Sequence, residues 1–362
     1  MFVFGTSPYL KRDKRIVSGD RRRFAVCIIA FSFILLLATS IGSLTVGASG
    51  TSLIDALILW SLGEKIGLRE SVILFDIRAP RTLMGVMVGA SLAVSGAVMQ
   101  GLFRNPLADP GLVGVSAGAG LGAILAIVLG GMLPPAIATL TGIYTVPIAA
   151  FLGGWLTTML LYKVSTNGGR TSVAVMLLAG IAVGALSGAL SGILVYMADD
   201  TQLRDLTFWG LGSLAGSTWA KFAVAAPLIV LALATTPFLA KGLNGLTLGE
   251  AAAEHLGIRV QRMKNVAILT VAGATGAAVA VSGGIGFVGI VVPHLLRLII
   301  GPDHRYLLPA SALLGASLLL VADMISRTII APAELPIGIV TATIGGPFFL
   351  YILLRNRGIL DM

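Results

Sequence analysis

The acidic residues of this 362-residue chain could bind a proton or a metal cation, but only where a carboxylate is buried. Five aspartates lie in polar connectors, and two further carboxylates stand at the ends of apolar stretches: Asp76, Asp109, Asp199, Asp200 and Asp205, then Asp323 and Glu334. None lies inside an apolar stretch. Proton or sodium coupling commonly uses a carboxylate at mid-membrane, so this distribution argues against ion coupling, although backbone carbonyls alone can hold sodium.

Phosphate and metal chemistry have no sequence support either. The chain contains no Gly-x4-Gly-Lys-[Ser/Thr] loop, so we expect it not to hydrolyse ATP and not to be an enzyme. Its single cysteine, Cys27, and its histidines, His255, His294 and His304, show no metal-ligand spacing. We expect no bound metal and no cofactor, and any ATP-derived energy must come from a separate ATPase chain.

The elements that position these residues are long apolar stretches. Hydrophobic residues make up 56% of the chain, charged residues 11%, and the mean hydropathy is +0.97. About 20 apolar residues cross a hydrocarbon core of roughly 30 Å as a helix. The sequence predicts an all-α integral membrane protein with about ten transmembrane helices, at 24–45, 82–103, 111–133, 143–162, 172–197, 219–240, 265–283, 285–300, 306–325 and 336–354.

The basic residues predict the orientation. With ten spans, most of the 25 lysines and arginines fall on the side that holds both termini, Lys264 among them. Positive charge is typical of cytoplasmic loops, so we expect a basic cytoplasmic tail at 1–23, a single transmembrane domain at 24–362, and both termini in the cytoplasm. The net charge of +9 then indicates contact with anionic membrane lipid and not with nucleic acid.

One predicted span carries a stripe of small residues. Gly180, Gly184, Gly188 and Gly192 recur at every fourth position, which places them on one helix face. Such a face lets another backbone approach closely. Packing within one subunit, a subunit interface and the lining of a pathway are all open interpretations.

Three sets of motifs make this sequence similar to a known family. The first set is Arg78-Ala-Pro-Arg81 together with the segment 89–111, which contains Asn105-Pro-Leu-Ala-Asp-Pro110. The second is the segment 248–257, and the third consists of the segments 286–305 and 333–338. In this order they resemble the FecCD family, the membrane subunits of ATP-driven importers of iron-siderophores, haem and cobalamin. The resemblance covers nearly the whole chain from about residue 24.

The resemblance implies a type II ABC importer architecture in the bacterial inner membrane. Its members are homodimers of ten-helix subunits that work with two ATPase subunits and a periplasmic substrate-binding protein. Within the family, the segments 169–180 and 196–209 look most like haem importers, so we expect a haem permease. A ferric siderophore or cobalamin permease is the alternative.

The resemblance also implies roles for particular residues. Arg78, Arg81 and Arg327 correspond to arginines that meet glutamates of the binding protein, and we expect exposed pairs that orient this partner. The alternative is that these arginines anchor the chain at the lipid headgroups.

The segment 241–264 resembles the coupling helix that enters a cleft of the ATPase. Its candidate residues are Leu248, Gly249, Glu250, Glu254 and Gly257. Glu250 to Glu254 favours a short helix with acid at its positive N-terminal end, and Gly257 is expected to end it. A surface helix without a partner is the alternative.

The family narrows its pathway near the start of the fifth span. The candidate pathway and gate residues here are Ser172, Val173 and Ala174, and Val173 with Ala174 predicts an apolar constriction. A hydrophobic gate restrains water and ions while a bulky, partly apolar ligand passes.

Overall fold

The computed structural model describes residues 21–47, 53–62, 66–168 and 170–355. Most of the predicted basic tail, residues 1–20, lies outside these ranges. The described α-helices are α1 (Arg22–Thr45), α2 (Leu53–Ser61), α3 (Leu68–Ser71), α4 (Ala79–Leu102), α5 (Val115–Leu129), α6 (Pro135–Thr141), α7 (Thr145–Ser165), α8 (Val173–Met197), α9 (Asp200–Leu211), α10 (Trp219–Leu246), α11 (Glu250–His255), α12 (Val260–Ser282), α13 (Val288–Ile300), α14 (His304–Ser326) and α15 (Ile337–Arg355). A two-stranded antiparallel hairpin, β1 (Thr166–Asn167) and β2 (Arg170–Thr171), joins α7 to α8.

The predicted all-α membrane architecture is confirmed. Among the described residues, eight helical stretches are long and apolar enough to cross a membrane. Two shorter apolar helices, Val288–Ile300 and Ile337–Tyr351, coincide with the eighth and tenth predicted spans. Each of the ten predicted segments therefore corresponds to a helix, and two of these helices are short.

The predicted start of the second span at residue 82 is wrong. The helical stretch begins at Leu68 and runs through a π-helical segment, Val72–Arg78, directly into α4. Pro80 lies in the first turn of α4 and does not interrupt it. Pro80 lacks an N–H, and the carbonyl of Phe75, five residues earlier in the π-helical segment, accepts the indole N–H of Trp219 at 2.8 Å instead.

Glycines allow the central helix α4 to touch its neighbours backbone to backbone. Gly89 lies against Gly315 of α14, and a Cβ on Gly96 would overlap the carbonyl oxygen of Gly289 in α13. The side chain of Ser91 donates a hydrogen bond to the carbonyl of Ala274 in α12 at 3.0 Å. These contacts hold α4 close to α12, α13 and α14.

The predicted break near Gly283 is also confirmed. Gly283 ends α12 with φ 69°, and α13 begins only at Val288. The backbone here pairs with other segments: the Ser213 N–H donates to Ser282 O at 2.8 Å, and the Gly284 N–H donates to Trp209 O at 3.3 Å. Non-helical backbone at membrane depth requires such partners because no water is available.

The bundle has two ends that carry different polar groups. We call the end that holds α11 and the β1–β2 hairpin the coupling end. The other end, where α1 and α14 finish and α4 begins, is called the arginine end. The candidate coupling and gate residues lie at the first, and Arg78, Arg81 and Arg327 lie at the second.

Candidate functional site

Arg81 is the centre of a buried ion-pair cluster at the arginine end. Its Nε and Nη2 donate to Asp323 Oδ1 at 3.0 and 2.9 Å, and its Nη1 and Nη2 donate to Glu334 Oε1 and Oε2 at 2.8 and 2.9 Å. The side chains of Arg81 and Asp323 are 6% and 1% exposed, whereas that of Glu334 is 38% exposed. This arrangement uses the planar fork of the guanidinium on two carboxylates at once.

Arg78 and Arg327 contact the C-terminal end of α1. Arg78 Nη1 donates to the carbonyls of Leu44 and Thr45 at 2.7 and 3.0 Å. Arg327 Nη2 donates to the carbonyl and hydroxyl oxygens of Ser43 at 2.8 and 2.9 Å. The last carbonyls of an α-helix lack intrahelical donors and carry partial negative charge, so arginines stabilise this end.

The expectation that these three arginines form an exposed surface is wrong. Arg78, Arg81 and Arg327 are 4%, 5% and 5% exposed, because acceptors within the chain surround them. Asp323 is the signal that could have shown this: a carboxylate at the end of an apolar span requires a cation, and Arg327 follows four residues later. Their role in docking a binding protein stays a prediction.

The coupling segment contains the expected short helix. Gly249 precedes α11 with φ 98°, and Glu250 lies in its first turn. After the helix, Gly257 adopts φ 80° and donates its N–H to Glu254 O at 2.9 Å. Leu248 is 67% exposed and Glu254 is exposed, so the segment presents an apolar and acidic surface at the coupling end.

A buried lysine beneath α11 was not identified as a site residue from the sequence. Lys264 is 3% exposed, and its Nζ donates to Glu250 Oε1 at 2.8 Å and to the carbonyl of Thr171 at 3.0 Å. The sequence alone predicts only a cytoplasmic charge at Lys264. The sequence carries little signal for this burial, because Lys264 stands among the polar residues at the start of α12 and directly precedes the predicted span.

The candidate gate residues form the N-terminus of α8. Ser172 caps this helix, since its hydroxyl accepts the N–H of Val175 at 3.4 Å. Val173 is half-buried, and Ala174 is exposed. The structure therefore places small and apolar groups at an accessible helix end, and their role as a gate stays a prediction.

The glycine stripe of α8 is not packed against this subunit. A Cβ on Gly184, Gly188 or Gly192 would meet nothing within 4 Å. Large apolar residues of the same helix are exposed, including Leu178, Ile181, Leu186 and Ile193. Of the three interpretations, packing within one subunit is excluded for these three glycines.

Two aspartates accept hydrogen bonds within the chain, Asp303 outside the spans and Asp109 inside the bundle. Hydrogen bonding from Arg305, followed by bonds from its backbone N–H and from Asn244, lowers the pKa of Asp303 to about 2. The connector that holds Asp109 enters the bundle, so this carboxylate does not lie at a polar surface as predicted: it accepts the Gly111 N–H at 2.7 Å beside Gly289 of α13. Asp109 also lines a cavity of about 240 Å³ beside the break between α12 and α13.

The described part of the chain holds no group of three or more histidine, cysteine or acidic side chains placed to bind a metal. His294 and His304 are buried at 7% and 2% exposure, and His255 is exposed on α11.

Comparison with known proteins decides the family. The model of the FecCD transport family matches residues 30–355, which is most of the chain. The chain belongs to the FecCD transport family. It is therefore a multi-pass membrane protein of a family whose members transport solutes, as its apolar helices also indicate.

Individual relatives of this FecCD-family chain agree with the assignment. It is 46% identical over 330 residues to the hemin transport system permease protein HmuU of Yersinia pestis, covering 91% of this chain and 96% of that protein. It is 44% identical to the cobalamin import system permease protein BtuC of Halobacterium salinarum, covering 79% of this chain and 74% of that protein. It is 42% identical to the vitamin B12 import system permease protein BtuC of Shigella boydii, covering 82% of this chain and 88% of that protein.

A solved structure resembles this FecCD-family chain over nearly its full length. It is described as an inward-facing conformation of a metal-chelate type ABC transporter. The TM-score is 0.80 at 33% sequence identity, with 91% of this chain and 99% of that chain covered. The expected ABC importer architecture is confirmed by this match.

Proposed function

We propose that this chain is the membrane permease subunit of an ATP-driven importer that carries haem across the bacterial inner membrane. The observation that carries the choice of haem is the 46% identity to a hemin permease across 91% of the chain. The cobalamin permeases are less identical to this chain: two are 44% and 42% identical over 79% and 82% of it, and one that covers 93% of it is 39% identical. A permease for cobalamin or a ferric siderophore is the alternative.

The chemistry of the described residues supports passage of a bulky chelate without ligation of its metal. No metal-binding cluster is present between residues 21 and 355 where the structure describes the chain. The candidate gate at Ser172, Val173 and Ala174 is small and apolar, which suits a large cargo with an apolar surface. Iron would therefore cross as part of its chelate.

A homodimer is supported by the open face of α8. A helix on which Gly184, Gly188 and Gly192 meet nothing, and on which Ile181 and Val195 of the same face are exposed, can bury this face against a second subunit. Small residues at such a face permit close approach of two helices within lipid. We place the pathway along this interface, because the candidate gate is the N-terminus of the same helix.

The coupling end is proposed to bind two ATPase subunits, one at each copy of α11. Leu248, Glu250 and Glu254 give this end an exposed apolar and acidic knob. The chain has no nucleotide-binding loop of its own, so the importer requires this contact for energy. In this orientation the coupling end faces the cytoplasm, and both termini lie on that side.

The arginine end is proposed to face the periplasm and bind the substrate-binding protein. Three arginines against two carboxylates leave this cluster with a net positive charge, which attracts an acidic partner and accelerates its association. Glu334 is the accessible member of the cluster. A partner carboxylate that displaces Glu334 would reach Arg81.

Reconstitution tests the transport function. Proteoliposomes contain this chain, its co-encoded ATPase with ATP enclosed, and its binding protein, and they are offered radiolabelled hemin, a ferric hydroxamate siderophore or cobalamin. We expect ATP-dependent uptake of hemin alone. Uptake of the siderophore or of cobalamin instead would refute haem as the substrate but leave the assignment as an ATP-driven importer intact. Equal uptake without the ATPase would refute the whole proposal.

Charge variants at opposite ends of the bundle test the docking face. Glu334→Gln adds one net positive charge at the arginine end, and Asp303→Asn makes the same change at the coupling end. We expect faster association of the binding protein with the Glu334 variant, more so at low ionic strength, and no change with the Asp303 variant. Equal effects of the two variants would refute docking at the arginine end.

A further inference from the structure

Thr171 is the junction between the β1–β2 hairpin and the candidate gate. It is 6% exposed and directly precedes Ser172, the cap of α8. Its backbone N–H donates to Gln261 Oε1 at 3.0 Å, and its hydroxyl accepts from Gln261 Nε2 at 2.7 Å. Its carbonyl accepts from Lys264 Nζ at 3.0 Å. All of these partners belong to α12.

Lys264 extends this junction to the coupling helix. The same ammonium that binds Thr171 donates to Glu250 Oε1 at 2.8 Å. Glu250 is the first residue of α11 and its side chain is 46% exposed, whereas Lys264 is 3% exposed. Two hydrogen bonds through one buried ammonium therefore separate the coupling helix from the residue that precedes the gate.

A second set of bonds fixes the orientation of this network. Asn265 Oδ1 accepts from Gln261 Nε2 at 2.8 Å and from the hydroxyl of Tyr162 on α7 at 2.7 Å. The hairpin begins at the end of α7, so both of its sides are held to α12. Hydrogen bonds to a buried charge are short and are strengthened by the low local dielectric, so groups joined by them move together.

We propose that Lys264 is a positioning residue that transmits movement of α11 to the N-terminus of α8. In this mechanism, displacement of Glu250 by the ATPase draws the ammonium of Lys264, and the carbonyl of Thr171 follows. The turn that carries Ser172 and Val173 is then repositioned. This inference rests on the proposed roles of α11 as the ATPase contact and of the α8 terminus as the gate.

The test measures cargo uptake and ATP hydrolysis in the same proteoliposomes, with the ATPase and the binding protein present. Lys264→Met removes the ammonium and keeps most of the side-chain length. We expect its uptake per ATP hydrolysed to fall about tenfold, within the range by which residues in coupling networks alter coupling, while hydrolysis continues. Lys264→Arg retains the charge and donors and is expected to recover most of the ratio.

A matched control separates this effect from the loss of any ion pair at the coupling end. Arg305→Met removes the exposed partner of Asp303, with which it pairs at 2.7 Å, and is expected to keep the wild-type ratio. A ratio for Lys264→Met equal to that of Arg305→Met would overturn the proposal. A loss of hydrolysis in parallel with uptake would indicate a damaged assembly, and the ratio of a second variant, Glu250→Gln, then decides the outcome.

Glu250→Gln covers the case in which Lys264→Met does not assemble with the ATPase. The Glu250 side chain is nearly half exposed, so an isosteric amide there is compatible with folding. We expect a fall in the ratio of roughly threefold, because the amide keeps an acceptor but loses the charge. An unchanged ratio would overturn the proposal. ATP-independent uptake by the wild-type chain would instead refute the proposed function and is distinguishable from both results.

Discussion

Asp323→Asn is the substitution whose effect on stability the structure defines most closely. Asp323 is 1% exposed and pairs with Arg81, itself 6% exposed, and it lies 3.6 Å from Arg327. Removing one partner of a buried ion pair costs about 3–5 kcal/mol, because the other charge is left without compensation. Glu334 keeps its two hydrogen bonds to Arg81, so we expect a loss near the lower value, about 3 kcal/mol.

The assay is reversible unfolding of the purified chain by SDS in mixed micelles, which gives the free energy of unfolding. Glu334→Gln is the matched control: it removes a carboxylate from the same guanidinium, but at a site 38% exposed, and should cost at most about 1 kcal/mol. Such a difference would show that the burial of the carboxylate, and not its contact with Arg81 alone, determines how much stability is lost. A loss for Asp323→Asn no greater than that for Glu334→Gln would refute this reasoning.

Three further predictions concern packing and acidity. Gly96→Ala should lower the free energy of unfolding by about 1–3 kcal/mol, because the new methyl group overlaps the carbonyl of Gly289; Gly188→Ala should stay within about 1 kcal/mol of wild type in the same SDS titration. Gly188→Trp should abolish chemical cross-linking into dimers without unfolding the subunit, and a persistent dimer would contradict the proposed interface. Asp303→Asn should lower the apparent melting temperature by the same amount at every pH from 5 to 8. Because the pKa of Asp303 is lowered to about 2, its stabilisation is present above the ordinary value of 3.8 and is lost only as the pH falls toward 2. A difference between variant and wild type that changed between pH 5 and 8 would contradict this assignment.

The membrane architecture could be predicted because hydropathy reports burial in lipid directly. Each predicted span coincides with a helix, and the break after Gly283 is marked by its glycine pair. The start of the second span could not be predicted, since Pro80 indicates a helix boundary locally. Only the structure shows the π-helical segment Val72–Arg78 that continues the helix before it.

The motifs of the candidate functional site could be predicted from the sequence, but the burial of its charged side chains could not. The short coupling helix follows from Glu250 and the flanking glycines, which are local signals. The burial of Arg81 depends on Asp323, which lies far away in sequence. The burial of Lys264 could not be predicted for a related reason. Counting charges treats every lysine near the end of a span as solvated, but the carbonyl that Lys264 binds belongs to Thr171, in the connection between two other helices.

The interrupted backbone between α12 and α13 has a consequence for biogenesis. The 13 residues of α13 rise about 20 Å, short of the hydrocarbon thickness of roughly 30 Å, so this segment is a poor substrate for insertion on its own. The break pairs with Trp209 and Ser213, and the Gly212 carbonyl beside them accepts the N–H of Ile337 at 3.0 Å. Because Ile337 leaves the ribosome after α13 and α14, this part of the bundle acquires its full set of partners only after both helices have been made. Chains interrupted before Ile337 would therefore leave the Gly212 carbonyl without this donor, at a place in the membrane where an unpaired polar group costs several kcal/mol.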